Sequence, residues 1–265
     1  MTAAIAAGPR TDLPRRAFVT QVMGLPVSIH VRGPEARSAT VAALVEAAFD
    51  DLRLDDAMFS TWLPDSPVSR VRDGRDRLAD AHPRIRQIAA MCELAAHRTG
   101  GSFSAWRAGA DGVVRFDPTG LVKGWAVEQA FDQLVDRLRR HGRHDALAVA
   151  GGDLAVHCSR TDTPDWRIAV EDPRDRTRVL RSFTLRCGGV ATSGTAARGA
   201  HLTDPATGLP PAGLLSATII GPTLTWSDVY ATAAFVKGPT GLGWVATLDR
   251  HAGILVDPAG RVLST

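Results

Sequence analysis

The stretch ALAVAGGDLAVH, residues 146–157, decides the fold class. It reads as two short strands, Ala146–Ala150 and Leu154–His157, joined by Gly151-Gly152-Asp153. Alternation over so few positions suits strands, and two glycines with an Asp suit a tight reversal. Further short strands follow at Trp166–Val170, Ser182–Leu185, Gly189–Thr192 and Leu214–Ile220, separated by turn residues. Helical spacing lies outside this block. Residues 35–59 carry the stripe Val41, Leu44, Val45, Ala48, Leu52 and Met58, and a second helix runs from Pro83 to Arg98 and stops at Gly100-Gly101. A third opens near Gly120, buries Val127, Phe131, Leu134, Val135 and Leu138, and ends by Gly142. Thr225–Lys237 and Thr240–Asp249 read as helices, and Gly253–Val256 as a last strand. Strands grouped in the middle, with helices before and after, argue for an α+β fold of mainly antiparallel sheets with flanking helices.

Working outward, Val19, Val22, Val27, Ile29 and Val31 alternate around a break at Gly24-Leu25-Pro26, as in a hairpin or a bulged strand pair. Residues 60–67 read as a loop, and residues 99–120 as a glycine-rich loop with one strand at Val113–Phe116. No repeat or long linker divides the chain. Residues 1–16 are expected to form an N-terminal tail and residues 17–265 a single domain.

The 265 residues suffice for a sizeable core, and 45% hydrophobic with 22% charged residues is ordinary for a globular chain. A net charge of +3, with no basic run interleaved with aromatics, argues against a nucleic-acid partner. Arg137, Arg139, Arg140 and Arg143 suit a solvated helix end. Cys92, Cys158 and Cys187 form no CxxC pair, so each is expected to be a small buried hydrophobe in a reducing compartment. The opening MTAAIAAGPRTDLPRRAF places its basic residues after a short Ala-rich piece and lacks a signal-peptide core. No apolar run approaches the roughly 18 residues of a membrane span. These features make a cytoplasmic location the expectation.

Four segments carry candidate chemistry. Asp228 and Thr232 stand four apart on a helix and share a face, a hard oxygen pair suited to Mg²⁺; Asp228 is equally a first-turn acid behind a Thr225 or Ser227 cap. Residues 116–126 run from a loop into a helix with Gly120 and Gly124, where outward amides favour an anion and Lys123 adds charge, or where a capping turn carries a surface lysine. His201 is a candidate base or phosphate partner, beside Asp204-Pro205 and Gly208, which also make a plain turn. Gly151-Gly152-Asp153 and Ala191–Gly194 follow strands, where glycines let a ligand approach backbone or simply turn the chain. Together the residues point to a metal and an anionic ligand on loop and helix termini.

In order along the chain, these segments resemble the ApbE family of FAD:protein FMN transferases. The resemblance rests on Met23-Gly24, Phe59–Trp62 with Asp65-Ser66 and Ser69-Arg70, Gly100–Phe103, Asp117–Ala126, Gly151–Asp153, Trp166–Pro173, Ala191–Gly194, His201–Gly208 and Asp228–Thr232. It implies an ApbE-like fold and Mg²⁺-dependent transfer of FMN from FAD, as substrate, to a Ser or Thr hydroxyl of an acceptor protein, releasing AMP. The alternatives are an FAD pyrophosphatase yielding FMN and AMP, and a non-catalytic FAD-binding module. The resemblance implies metal ligation by Asp228 and Thr232, with Ala231 beside them and a Gly120 carbonyl. It implies FAD contacts at Met23, Trp62, Ser102, Phe103, Ser104, Asp117, Lys123 and Leu202, and catalytic roles for His201, Asp228 and Lys123. The chain departs from the pattern in Ser104, where the family has Asp, and in Ala105–Val114, which replaces a Pro-Leu-Trp stretch. It also has Trp62 for the usual Tyr, no Asn after Ser69-Arg70, and no lipoprotein signal.

Overall fold

The turn Met23-Gly24 has both residues at positive φ, 56° and 70°, the conformation that closes a two-residue hairpin in register with strand twist. The computed structural model describes residues 12–109, 111–195 and 202–265. The hairpin pairs β1 (Arg15–Val22) with β2 (Leu25–Arg32), from Arg15 opposite Arg32 to Val22 opposite Leu25. Pro26 lies inside β2; the ladder to the next strand starts at Val27, so its missing N–H breaks no bond on that side.

This hairpin opens an eight-stranded antiparallel sheet ordered β1-β2-β5-β6-β9-β10-β11-β12. Its further strands are β5 (Asp145–Ala150), β6 (Asp153–His157), β9 (Cys187–Gly194), β10 (Ser216–Gly221), β11 (Ala252–Val256) and β12 (Val262–Ser264). Two hairpins stand apart from it: β3 (Trp106–Ala108) with β4 (Val114–Phe116), and β7 (Trp166–Asp172) with β8 (Asp175–Leu185). The helices are α1 (Ala39–Phe59), α2 (Pro67–Arg72), α3 (Pro83–Arg98), α4 (Thr119–Arg139), α5 (Leu224–Lys237) and α6 (Gly241–Val245).

The alternation of the central strands divides two apolar layers. Ala146, Ala148, Ala150, Ala155, Ala191 and Ala217 face the helices; Leu147, Leu154, Val156, Val190 and Ile220 face Trp166 and Ile168 of β7. Small residues on the helical side let α4 and α5 lie close to the sheet. Gly189 takes this furthest, because a β-carbon there would stand 2.4 Å from both N and Cα of Leu224.

The all-antiparallel main sheet and its covering helices match the expected class. Local readings shift in places. In α1, Phe49 and Phe59 are buried, whereas Leu44 and Met58 are partly covered. The segment after residue 99 holds two strands instead of one, and β12 is an addition. The last helix is only five residues after a 3₁₀ turn, since Gly241 and Gly243 weaken it. Cys92 and Cys158 are buried but Cys187 is exposed, at the first position of β9 opposite His157. Among the described residues, no helix is long and apolar enough to cross a membrane.

Neither Thr225 nor Ser227 caps α5. The Glu128 carboxylate of α4 does so, accepting from the N–H groups of Leu224 (2.9 Å) and Thr225 (3.2 Å) and from the Thr225 hydroxyl. A negative group at a helix N-terminus satisfies open amides and complements the dipole. Glu128→Ala is expected to lower stability by about 1–2 kcal/mol, the usual effect of losing a cap, read by chemical denaturation.

Candidate active site

A cleft of about 910 Å³ opens where the loops at one end of the sheet meet the first turn of α4 and the inner face of α5. That volume suits a nucleotide-sized ligand. Its wall includes the Met23-Gly24 turn, Trp62, the Gly151-Gly152 turn, Ile168 to Asp172 of β7, and Thr192 to Gly194 at the end of β9.

Asp228 and Thr232 lie on the wall, one helical turn apart, at 3% and 8% exposure. Asp228 Oδ1 is 3.4 Å from Lys123 Nζ, while its buried Oδ2 accepts no hydrogen bond among the described residues. Lys123 bonds to Asp153 Oδ2, and Asp153 Oδ1 accepts the Thr192 N–H at 3.0 Å. Thr232 Oγ1 is 3.0 Å from Ser193 Oγ. Burial pushes the Asp228 carboxyl up to about 7; the Lys123 ammonium opposes this and the Asp153 charge adds to it. Two carboxylates and one ammonium in a shielded place leave a deficit of positive charge.

That deficit is the test of whether the residues fit a divalent cation. A buried carboxylate oxygen without a partner, on the same wall as the Thr232 and Ser193 hydroxyls, is a hard donor set for Mg²⁺. Among the described residues no group of three or more His, Cys, Asp or Glu side chains converges.

The crossing of α4 and α5 depends on Gly124, where a β-carbon would stand 2.9 Å from Asp228 Oδ2 and 3.0 Å from its Cβ. Gly124→Ala forces the helices apart or turns the carboxylate away. It is expected to cost about 1–3 kcal/mol, read as a fall in Tm. At the start of α4, Asp117 Oδ1 accepts the N–H (3.1 Å) and hydroxyl (2.6 Å) of Thr119, and Pro118 provides no side-chain cap.

Of the residues expected at the site, Met23, Trp62, Asp117, Gly120, Lys123, Leu202, Asp228 and Thr232 all line the cleft. Ser102, Phe103, Ser104 and Ala231 do not. Phe103 is buried with its ring against Gly120, and Ser104 Oγ accepts the Trp106 N–H to shape the start of β3. Ser102 lies away from the wall, and Ala231 is fully buried in the core. His201 falls outside the described residues. The structure adds Arg72 and Arg107 to the wall. Neither belongs to a motif, so no pattern in the sequence marks them. It also turns Asp153 and Ser193, known beforehand only as members of turn segments, into direct partners of Lys123 and Thr232.

Comparison with known proteins adds to this geometry. The model described as "ApbE family" matches residues 106–255. A Klebsiella pneumoniae protein named FAD:protein FMN transferase is 30% identical over 120 residues, 42% of this chain and 34% of its own length. A Rhodobacter capsulatus protein of the same name is 31% identical over 134 residues, 47% of this chain and 24% of its own. The match thus spans 34% of one of these curated relatives and 24% of the other. The ApbE protein of Thermotoga maritima superposes with a TM-score of 0.80 at 21% identity, covering 95% of this chain and 97% of that one. The flavin transferase ApbE of Vibrio cholerae gives 0.74 at 18% identity, covering 96% and 97%. These two likenesses establish the shared fold.

Proposed function

The chain belongs to the ApbE family, and on that premise we propose that it transfers the FMN half of FAD to a Ser or Thr hydroxyl of an acceptor protein, with Mg²⁺ as cofactor. The observation that carries the reading is Asp228, whose unpartnered buried oxygen lies beside Thr232 on the wall of a cleft of nucleotide size. The name shared by the relatives supports the reaction type.

In this reading the acceptor hydroxyl attacks the phosphorus on the flavin side of the diphosphate. An O–P bond forms and the bridging P–O bond breaks. AMP leaves with the bridging oxygen, and the hydroxyl proton passes to a base, for which His201 is the candidate. Mg²⁺ held by Asp228, Thr232 and the Gly120 carbonyl would supply charge neutralisation for the phosphoryl oxygens. Lys123, fixed by Asp153, brings a positive charge to the same wall, and the start of α4 adds its amides. Fixed charges and a bound geometry lower the barrier with no covalent intermediate on the enzyme. We place the reaction in the cytoplasm, a location supported by three unpaired cysteines.

Incubating the protein with FAD, MgCl₂ and a flavoprotein subunit purified without its covalent flavin tests the proposal. Flavin fluorescence that stays with the subunit through denaturing electrophoresis is the expected result. Free FMN and AMP without labelled subunit would replace the transferase with a pyrophosphatase, and unchanged FAD would leave only a binding module.

Trp62 is 91% exposed on the cleft wall, where an indole hardly covered by the described residues offers a face to a flavin or adenine ring. Trp62→Ala is therefore expected to leave Tm almost unchanged and weaken FAD binding by about 1–3 kcal/mol, the range for base–aromatic stacking, measured by titration calorimetry.

A further inference from the structure

The hairpin β3–β4 places Arg107 directly opposite Arg115. Like charges directly opposite destabilise a strand pair, and an anion beside each relieves this. Arg115 has its own: Nη1 and Nη2 reach Asp111 Oδ1 and Oδ2 at 2.8 and 2.6 Å, a two-pronged pair. Arg107 takes part in no ion pair among the described residues. It lines the cleft and is half-buried. Its Nη2 stands 3.5 Å from the point that a β-carbon on Gly120 would occupy, so the guanidinium lies against the one position in the first turn of α4 that has no side chain. The hairpin is locked to that turn by the Asp117 N–H, which donates to the Ala105 carbonyl at 2.7 Å.

We propose that Arg107 is a ligand-contacting residue of the cleft that grips a diphosphate against the N-terminal turn of α4. The proposal rests on the transferase reading for its substrate, FAD, but the anion site stands on its own geometry. A guanidinium fork matches two phosphate oxygens, which neither Lys123 nor a backbone amide can do alone. With Lys123 and Asp228 on the same wall, Arg107 holds the diphosphate at the end remote from the α5 carboxylate. The segment that replaces the family's Pro-Leu-Trp stretch is then not a loss but the source of a different phosphate contact.

Titration calorimetry of the full-length protein with inorganic pyrophosphate in MgCl₂ tests this. The wild type should bind, and Arg107→Ala should bind on the order of tenfold more weakly or worse, as expected for lost charge-assisted hydrogen bonds. Arg107→Lys, which keeps the charge without the fork, should fall between the two. Riboflavin, which has no phosphate, should bind Arg107→Ala and wild type alike, and Arg167→Ala, an exposed control off the cleft, should match wild type with pyrophosphate. Arg107→Gln serves in place of the alanine variant if that one loses its cooperative thermal transition. Wild-type affinity in the Arg107 variants, or no pyrophosphate binding by the wild type, overturns the proposal. Pyrophosphate held through Arg107 by a protein that leaves FAD intact would overturn the transferase reading and keep the anion site.

Discussion

Asp228→Asn is expected to remove flavin transfer, by on the order of 10³-fold, while the variant folds with a stability equal to or above the parent's. Both halves follow from one environment. The carboxylate is buried, shares Lys123 with Asp153, and keeps one oxygen without a partner. Asparagine keeps the shape and removes the charge that would hold Mg²⁺. It leaves Lys123 and Asp153 as a balanced pair, so folding loses no essential ion pair. Burial raises the Asp228 carboxyl from 3.8 to about 7 in the folded chain. The native state thus binds its proton more tightly than the unfolded state does, and the metal-free parent loses stability as pH rises through that window. The variant has no such loss. Its Tm should match the parent's near pH 4 and exceed it near pH 8, both measured in chelator. A variant that keeps turnover removes Asp228 from the mechanism; one that unfolds makes its role structural.

Gly189→Ala should be among the most damaging single methyl additions in the chain, costing about 3 kcal/mol or more. The added carbon would stand 2.4 Å from the N and Cα of Leu224 and 2.6 Å from the Thr223 carbonyl carbon. These are backbone atoms and cannot rotate aside as a side chain can. The N-terminus of α5 must lift from β9, breaking the contact of Ser227 Oγ with the Gly189 carbonyl (3.2 Å) and straining the Glu128 cap. Asp228 lies just beyond Ser227 on the same helix, so the proposed metal site should weaken with the fold. Denaturant unfolding gives the stability, and a Tm within a degree of the parent would show that α5 sits farther from the sheet than described.

The parts of the fold that were legible in the sequence are those where burial repeats with a period. Val127, Phe131, Leu134, Val135 and Leu138 of α4 are all buried, as their spacing demands. The central strands were readable because their alternating faces meet two different apolar layers. Trp106-Arg107-Ala108 was not, because a three-residue strand offers no alternation to detect. The α5 cap was hidden because its acceptor, Glu128, comes from α4 far earlier in the chain. The site divides along the same line. Asp228 and Thr232 are marked by helical spacing, whereas the union of Lys123, Asp153 and Asp228 exists only once α4, β6 and α5 are brought together. Ser102 to Ser104 are marked as ligand contacts by resemblance alone, and the structure adds a local task for one of them, since Phe103 packs against Gly120. Arg107 gained meaning from a cross-strand neighbour already paired to Asp111.

Crystals soaked with FAD and MnCl₂, with Mn²⁺ standing in for Mg²⁺ to give an anomalous signal, test the central claim most directly. The account predicts one peak within bonding distance of Asp228 Oδ2 and Thr232 Oγ1 and in contact with the diphosphate. FAD bound in the cleft with no metal beside Asp228, or metal bound there with the dinucleotide elsewhere, would contradict it.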